Sequence, residues 1–231
     1  LNINGIDPKK IKIFGNGGSM LPLANATYYP NDLTENAIQI IGESDGVFNN
    51  EDYILFYAQG VDTWSQESQT NINLYDSKSY YYVTIQGSNG KRIQNLTQPS
   101  GNSTLNLSTF DDHQFHEKDL TNIGRVGRKW FGEGFEINQE QEFSFNFPNI
   151  DTSTPIKLSI NTASSAITTT TFKVLANGQE VGTMSFPPLA QNSSILFYES
   201  SLPTNTTFPS SENVKIKLSY NNNGVPGSKG Y

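Results

Sequence analysis

Hydrophobic and polar residues alternate with a period of two over much of this chain, the pattern of a strand with one buried and one wet face. Glu142-Phe143-Ser144-Phe145-Asn146-Phe147 puts three phenylalanines on one side before Pro148 ends the run. Ile156 to Ile160, Thr171 to Leu175 and Val214 to Leu218 repeat the alternation. Asn177-Gly178 joins the second of these to Glu180–Met184. That dipeptide predicts a hairpin, because a type I′ turn needs positive φ at both central positions. Earlier in the chain the runs are shorter and more aromatic: Ile11 to Phe14, Ala37 to Ile41, Asp52 to Tyr57 and Ser79 to Ile85. Turn residues at Gly15–Gly18, Asp45-Gly46 and Gly87–Gly90 punctuate them. Helix is expected only as a turn or two within Asp111–Gly124, since Gly, Pro, Asn, Ser and Thr interrupt every other stretch.

The expected fold is therefore all-β with little helix, in two antiparallel parts. A change of texture near residue 140 predicts an irregular, aromatic β domain over 1–140. A β-sandwich or jelly roll is predicted over 141–231, where Ser/Thr-rich strands become regular. Asn95–Thr109, rich in Asn, Ser and Thr, reads as a surface loop or edge strand. A chain that opens on Leu1 and stops at Tyr231 in mid-pattern reads as a piece of a longer polypeptide.

Composition narrows the chemistry. There is no cysteine among the 231 residues, which removes a thiol nucleophile, a disulfide framework, an iron–sulfur cluster and a thiolate zinc site. Fifteen Lys and Arg stand against 22 Asp and Glu, a net charge of −7, so the cationic surplus that nucleic-acid binding requires is missing. Charged residues make up 16% of the chain, below the roughly 25% of ordinary soluble domains. No run approaches the roughly 20 apolar residues that a membrane-spanning helix needs.

Five groups of residues could carry chemistry. Glu43 to Asp52 is the sharpest. With Gly46 at the glycine position of a calcium loop, Glu43, Asp45, Asn49 and Asp52 fall on ligand positions, whereas Ile41 falls on the first and cannot ligate. Beside calcium binding stands the simpler reading of a tight Asp-Gly turn with Asn49 and Asp52 capping loop backbone. No other cofactor is indicated. His113 and His116, three residues apart among Asp111, Asp112, Glu117 and Asp119, could share one side of a helical turn and hold a metal. Glu133 and Glu136 could flank a sugar as glycosidase carboxylates, given a separation of roughly 5–10 Å and one raised pKa. Trp64, Tyr80, Tyr81 and Tyr82 could stack on sugar rings or form sheet core. Gly15 to Ser19 is Gly-rich but lacks the lysine and the helix of a phosphate loop.

Several segments together carry a resemblance. They are Lys12 to Pro22, Asp32 to Ile38, Asp45 to Ala58, Phe115 to Leu120 and Gly127 to Glu133, where Trp130-Phe131-Gly132-Glu133 is the most distinctive piece. In this order and spacing they resemble the region ahead of the peptidase domain in the PorU family of type IX secretion system sortases of Bacteroidetes, which are gingipain-like cysteine peptidases. The motifs cover about residues 1–136 and the remainder matches in texture. The resemblance implies a surface protein at the outer membrane that removes the C-terminal sorting domain of secreted cargo and joins the cargo to an anionic lipopolysaccharide. It does so with a Cys–His dyad in a caspase-like α/β domain. Without a cysteine or an alternating β/α region this chain carries no catalytic residue of that kind, and His113 and His116 do not correspond to the family's histidine.

What the resemblance implies for these residues is a non-catalytic N-terminal β module, ending before the peptidase domain. Its implied partners are that peptidase domain of the same polypeptide, secreted cargo and outer-membrane secretion proteins. Its implied location is extracytoplasmic. Trp130 and Phe131 are large apolar anchors, and Arg125 or Arg128 could pair with Glu133 or Glu136, so the segment around Trp130, Phe131 and Glu133 is expected to serve inter-domain docking or core closure. The alternative function is that of a carbohydrate-binding or adhesion module.

Overall fold

The computed structural model describes residues 3–231 apart from Asn102, Thr104 and Val126. The fold is all-β, and its strands pair antiparallel. Among the described residues no helix is long and apolar enough to cross a membrane. The chain divides into two compact units, residues 1–108 and 109–231.

In the first unit, β1 (Lys12–Phe14) lies between β2 (Glu35–Asn36) and β5 (Tyr82–Thr84), with Ile13 opposite both Asn36 and Val83. β3 (Ile38–Ile41) and β4 (Tyr53–Phe56) form a separate hairpin in which Ile40 faces Ile54. The reversal between them runs through a 3-10 turn at Glu43–Asp45, bounded by Gly42 and Gly46 at φ 95° and 81°. Ile11, Ile13, Ile38, Ile40 and Phe48 make the core, with Ile54, Phe56 and Tyr81 packed against it. Alternation along β3 explains the choice: Ile38 and Ile40 point inward while Gln39 and Ile41 face solvent. A core this small leaves long irregular loops whose backbone groups are satisfied by side chains. Asn16, for example, donates to Asp32 O and accepts from Thr34 N.

The second unit is a sandwich. One sheet has the order β10 (Gln179–Phe186), β9 (Thr170–Ala176), β13 (Asn213–Asn221), β6 (Glu140–Asn146). Facing it are β11 (Tyr198–Ser201), β8 (Asn161–Ser165) and β14 (Lys229–Gly230), together with the short pair β12 (Thr207–Phe208) and β7 (Ile156–Lys157). Phe172, Val174, Met184, Phe186, Val214, Ile216, Leu218 and Tyr220 line the inner face of the larger sheet. Its outer face carries cross-strand ion pairs, Lys173–Glu180, Lys215–Glu142 and Lys217–Glu140, the mark of a wet surface. Asn177 and Gly178 take φ 47° and 85°, the hairpin geometry their sequence requires.

Three features differ from the expectation. Asp111–Gly124 contains no helical turn. Its backbone is committed elsewhere, with Leu120 N and Thr121 N both donating to Phe131 O. The run predicted as one strand from Ile156 to Ile160 ends as a strand at Lys157, and a new strand, β8, starts at Asn161. Finally, regular strands begin at Glu140, where the texture changes, but the compact unit that contains them begins at residue 109. The reason is that 109–139 contributes Phe131 and Phe135 to this unit's buried interior.

Candidate functional site

Residues 113–136 form a two-armed strap on the second unit. The arms are tied by the antiparallel bridge Thr121–Phe131, in which each N–H donates to the other's carbonyl. Strand register shows what the strap covers. In β8, Thr162 reaches Met184 Sδ and Ser164 reaches the Tyr220 hydroxyl, so both point into the sandwich. Ala163 between them therefore faces outward, yet it is fully buried. Its paired neighbours on that outer side are Glu199 in β11 and Tyr231, whose N–H and C=O both bond to Ala163. Lys129 of the strap binds Glu199 at 2.7 Å. The Phe131 ring, 6% exposed, lies 5.3 Å from Phe197 and 6.3 Å from Tyr231. The strap thus seals the outer face of the smaller sheet.

Four residues further on, Phe135 extends that sheet. Its N–H and C=O pair with Gly230 at 2.8 and 2.9 Å, and its side chain turns into the core, edge-on to Phe172 at 4.9 Å. Gly230 is needed here, since a Cβ would come within 2.6 Å of the Phe172 ring and 2.7 Å of Tyr220.

Glu133 latches the two arms. One carboxylate oxygen accepts from His116 Nε2 at 2.9 Å and from Lys118 Nζ at 3.0 Å, and the imidazole rests on the Phe143 ring at 4.4 Å. Glu136 binds Lys229 at 3.2 Å. Glu133 thus pairs with His116 and Lys118, and Glu136 with Lys229. Burial alone would raise the Glu133 carboxyl, but the bonds from Lys118 and His116 outweigh it and hold its pKa below the ordinary value of 4.5. A glycosidase general acid needs the opposite shift, so Glu133 is arranged for attachment. Trp130, by contrast, is 41% exposed. Of the three residues singled out here, Phe131 and Glu133 fasten the strap and Trp130 faces solvent.

Because the folded-state pKa of Glu133 is depressed, its contribution is fully present above the ordinary carboxylate value and is lost as pH falls through the lower folded value. Glu133→Gln is expected to lower stability at neutral pH by about 1 kcal/mol or less, in keeping with its partly exposed partners. The difference from the parent chain should vanish in acid well below pH 4.5. Urea titrations of both proteins at the two pH values test this; a gap that persists undiminished in acid contradicts the latch.

His113 and His116 are not presented together, because the helical turn that would align them is absent and His116 is committed to Glu133 and Phe143. The Asp112 carboxylate accepts from the backbone N–H of His113. Among the described residues no three carboxylates or imidazoles converge as a metal-binding group.

In the Glu43–Asp52 loop one side-chain oxygen each of Asp45, Asn49 and Asp52, and both of Glu43, bond within the protein. Asp45 accepts from Val47 N, Asn49 from Glu51 N and Asp52 from Asn49 N, at 2.9–3.0 Å. Glu43 grips the Arg92 guanidinium with both oxygens, at 2.7 to 3.2 Å. These bonds support the turn reading. Neither chelator nor millimolar calcium is expected to move the melting temperature of this chain, whereas a calcium-dependent rise would establish the loop as a site.

Arg92 was not marked by any motif, and an isolated arginine in Lys91-Arg92-Ile93 gives no signal in sequence. It also donates to the carbonyls of Pro8, Ile11 and Lys91. A groove of about 620 Å³ opens beside it, lined by Lys9, Ile41, Ser44 and Asn89 among others. The guanidinium itself is committed to Glu43 and these carbonyls. Tyr81 packs edge-on against Phe56 at 5.2 Å and donates its hydroxyl to Gln59 O, which makes it a core residue. Trp64, Tyr80 and Tyr82 are exposed.

No protein-family model matches this chain, and no curated protein matches it. Among solved structures, the crystal structure of dimeric latent PorU from Porphyromonas gingivalis superposes on 98% of this chain with a TM-score of 0.72 and 20% sequence identity. A second, the carbohydrate-binding module CBM36 in complex with calcium and xylotriose, matches 46% of this chain and 79% of its own, with 18% identity and a TM-score of 0.31. A score at that level supports no shared fold. This chain spans 21% of the PorU chain, and the likeness at 20% identity is one of fold.

Proposed function

We propose that this chain is a non-catalytic β module of a larger surface cysteine peptidase of the type IX secretion-sortase kind. It packs against the peptidase domain of the same polypeptide and shapes access to it. The observation that carries this reading is the superposition of nearly the whole chain, both units included, on one fifth of PorU. The resemblance of the ordered segments from Lys12 to Glu133 motivates the same reading, and with no cysteine these residues hold no thiol nucleophile. Secreted cargo and outer-membrane secretion proteins are the further partners in this reading, and its location is extracytoplasmic, at the outer-membrane surface. The strap is internal to the second unit, so Phe131 and Glu133 act in core closure, and Trp130 remains as a docking anchor.

The test has two parts. The purified chain is expected to leave a sorting-domain substrate uncleaved. It is also expected to co-purify with the peptidase domain of the polypeptide to which it belongs. Cleavage by the isolated chain overturns the non-catalytic assignment, and failure to bind the peptidase domain overturns the scaffold role.

Exposure of Trp64, Tyr80 and Tyr82 favours one alternative, glycan binding by the first unit through ring stacking. Calorimetry against lipopolysaccharide-derived glycans separates the two: saturable binding lost in Trp64→Ala would favour the alternative.

A further inference from the structure

We propose that Leu105–Phe110 is a processing site, at which an endopeptidase selective for large apolar side chains divides this chain into its two units. Such an enzyme takes its substrate as an extended strand, through main-chain hydrogen bonds and a pocket for the side chain before the cut. A folded protein offers that only where backbone and side chains are accessible without unfolding. Among the described residues, no hydrogen bond between main-chain groups involves residues 94–113. The last such bond before them is Ile93 N to Ile38 O, within the first unit. Beyond them the Gln114 side chain is anchored on Asn146 O, within the second. The bonds inside the stretch are local, from the Gln94 side chain to Arg92 O, from Ser103 Oγ to Leu105 O and from His113 N to Asp112. Leu105, Leu107 and Phe110 are 69%, 81% and 87% exposed. Ile93 to Phe110 contains no charged residue, so those three side chains are what a specificity pocket would read.

Exposed apolar residues elsewhere are poorer substrates. Leu23 N donates to Glu67 and Tyr75 N to Asn73. Ile137 lies between Phe135, paired with Gly230, and Gln139, whose carbonyl accepts from Tyr220 N. Tyr28 is exposed but is followed by Tyr29-Pro30, and the proline removes an N–H that an extended substrate would offer. The position of Leu105–Phe110 also decides what a cut leaves behind. The core residues of the first unit all precede residue 94, and those of the second all follow residue 113. The boundary between the units falls inside the segment, after Ser108. Hydrolysis consumes one water: the peptide C–N bond breaks, the acyl carbon takes the hydroxyl and the amide nitrogen takes the proton. Neither core loses a residue. This inference depends on the chain alone and is independent of the proposed sortase parentage.

Chymotrypsin, which cuts after large apolar and aromatic side chains, is the probe, added in trace amount to the full folded chain. Mass spectrometry is expected to place the first cut after Leu105, Leu107 or Phe110. Each fragment then holds one tryptophan, Trp64 or Trp130. Its urea midpoint should equal that of the same unit in the uncut chain, read in Trp130→Phe and Trp64→Phe backgrounds. Replacing all three side chains, Leu105→Ser with Leu107→Ser and Phe110→Ser, should slow the first cut by about tenfold or more, the worth of a filled apolar pocket. Both midpoints should stay where they were. A first cut elsewhere, at Tyr28 or Tyr57 for example, overturns the proposal. So does a cutting rate that the triple variant leaves unaltered, or a unit that unfolds once the segment is cut.

Discussion

Phe135→Ala is expected to destabilise the second unit by about 3–5 kcal/mol, the cost of removing a buried phenylalanine and leaving a cavity. The side chain is almost wholly buried and meets Phe172 at an interplanar angle of 88°. It also comes within 6.5 Å of Tyr220. Relaxation cannot refill the space, because Phe135 N–H and C=O are fixed on Gly230 and no Cβ is present there to move in. The two tryptophans divide between the units, Trp64 in the first and Trp130 in the second. In a Trp64→Phe background, Trp130 fluorescence reports the second unit. The urea midpoint it reports should fall by about 1–2 M. In a Trp130→Phe background, Trp64 should report an unchanged first unit. A shift no larger than that of the exposed control Phe110→Ala would mean that the strap is not part of the core.

How much of this was legible beforehand depended on whether the deciding contacts were local. The Asn177-Gly178 hairpin was legible because its requirement, positive φ at two adjacent residues, is carried by those residues alone. β9 and β13 were legible because alternating apolar side chains mark their buried faces. β8 was not. Its sequence, Asn-Thr-Ala-Ser-Ser, has no large apolar residue, and its burial is tolerated only because Thr162 finds Ser200 O and Ser164 finds Thr170 and Tyr220. Those partners stand 38, 6 and 56 residues away. The strap shows the same limit. Trp130-Phe131-Gly132-Glu133 stood out as a motif, but the division of labour within it follows from the other arm and from strand register. Phe131 is inward because it bridges Thr121, and Glu133 is engaged because His116 and Lys118 arrive from 17 and 15 residues earlier.

This division also bears on what the chain can do chemically. Glu133, Glu136 and His116, which suggested catalysis in sequence, are held in pairs that tie the strap together. Asp119, raised by burial and by the neighbouring Glu117, is the one carboxyl of the strap shifted toward the neutral form among the described residues. A protein whose polar side chains are largely committed to closing irregular backbone is suited to being a scaffold, which is the role proposed above.

Arg92→Ala carries the second large effect, an expected loss of about 2–4 kcal/mol from the first unit. Breaking a fully buried ion pair by removing one partner costs about 3–5 kcal/mol, and this pair is discounted because the side chains of Arg92 and Glu43 are 20% and 26% exposed. The loss is more than electrostatic. Glu43 is left without its bidentate partner at 2.7 Å, and the carbonyls of Pro8 and Ile11 lose a donor beside the buried Ile11. Arg92→Lys is expected to recover only part of this, because a point-like ammonium cannot reach Glu43 and both carbonyls in the fork geometry of a guanidinium. Replacing both partners, Arg92→Met with Glu43→Leu, should cost less than Arg92→Ala alone, since no unpaired charge remains. Trp64 fluorescence in the Trp130→Phe background follows all three. An Arg92→Ala cost below about 0.5 kcal/mol, the range of an ordinary surface pair, would show that the first unit closes without this clamp.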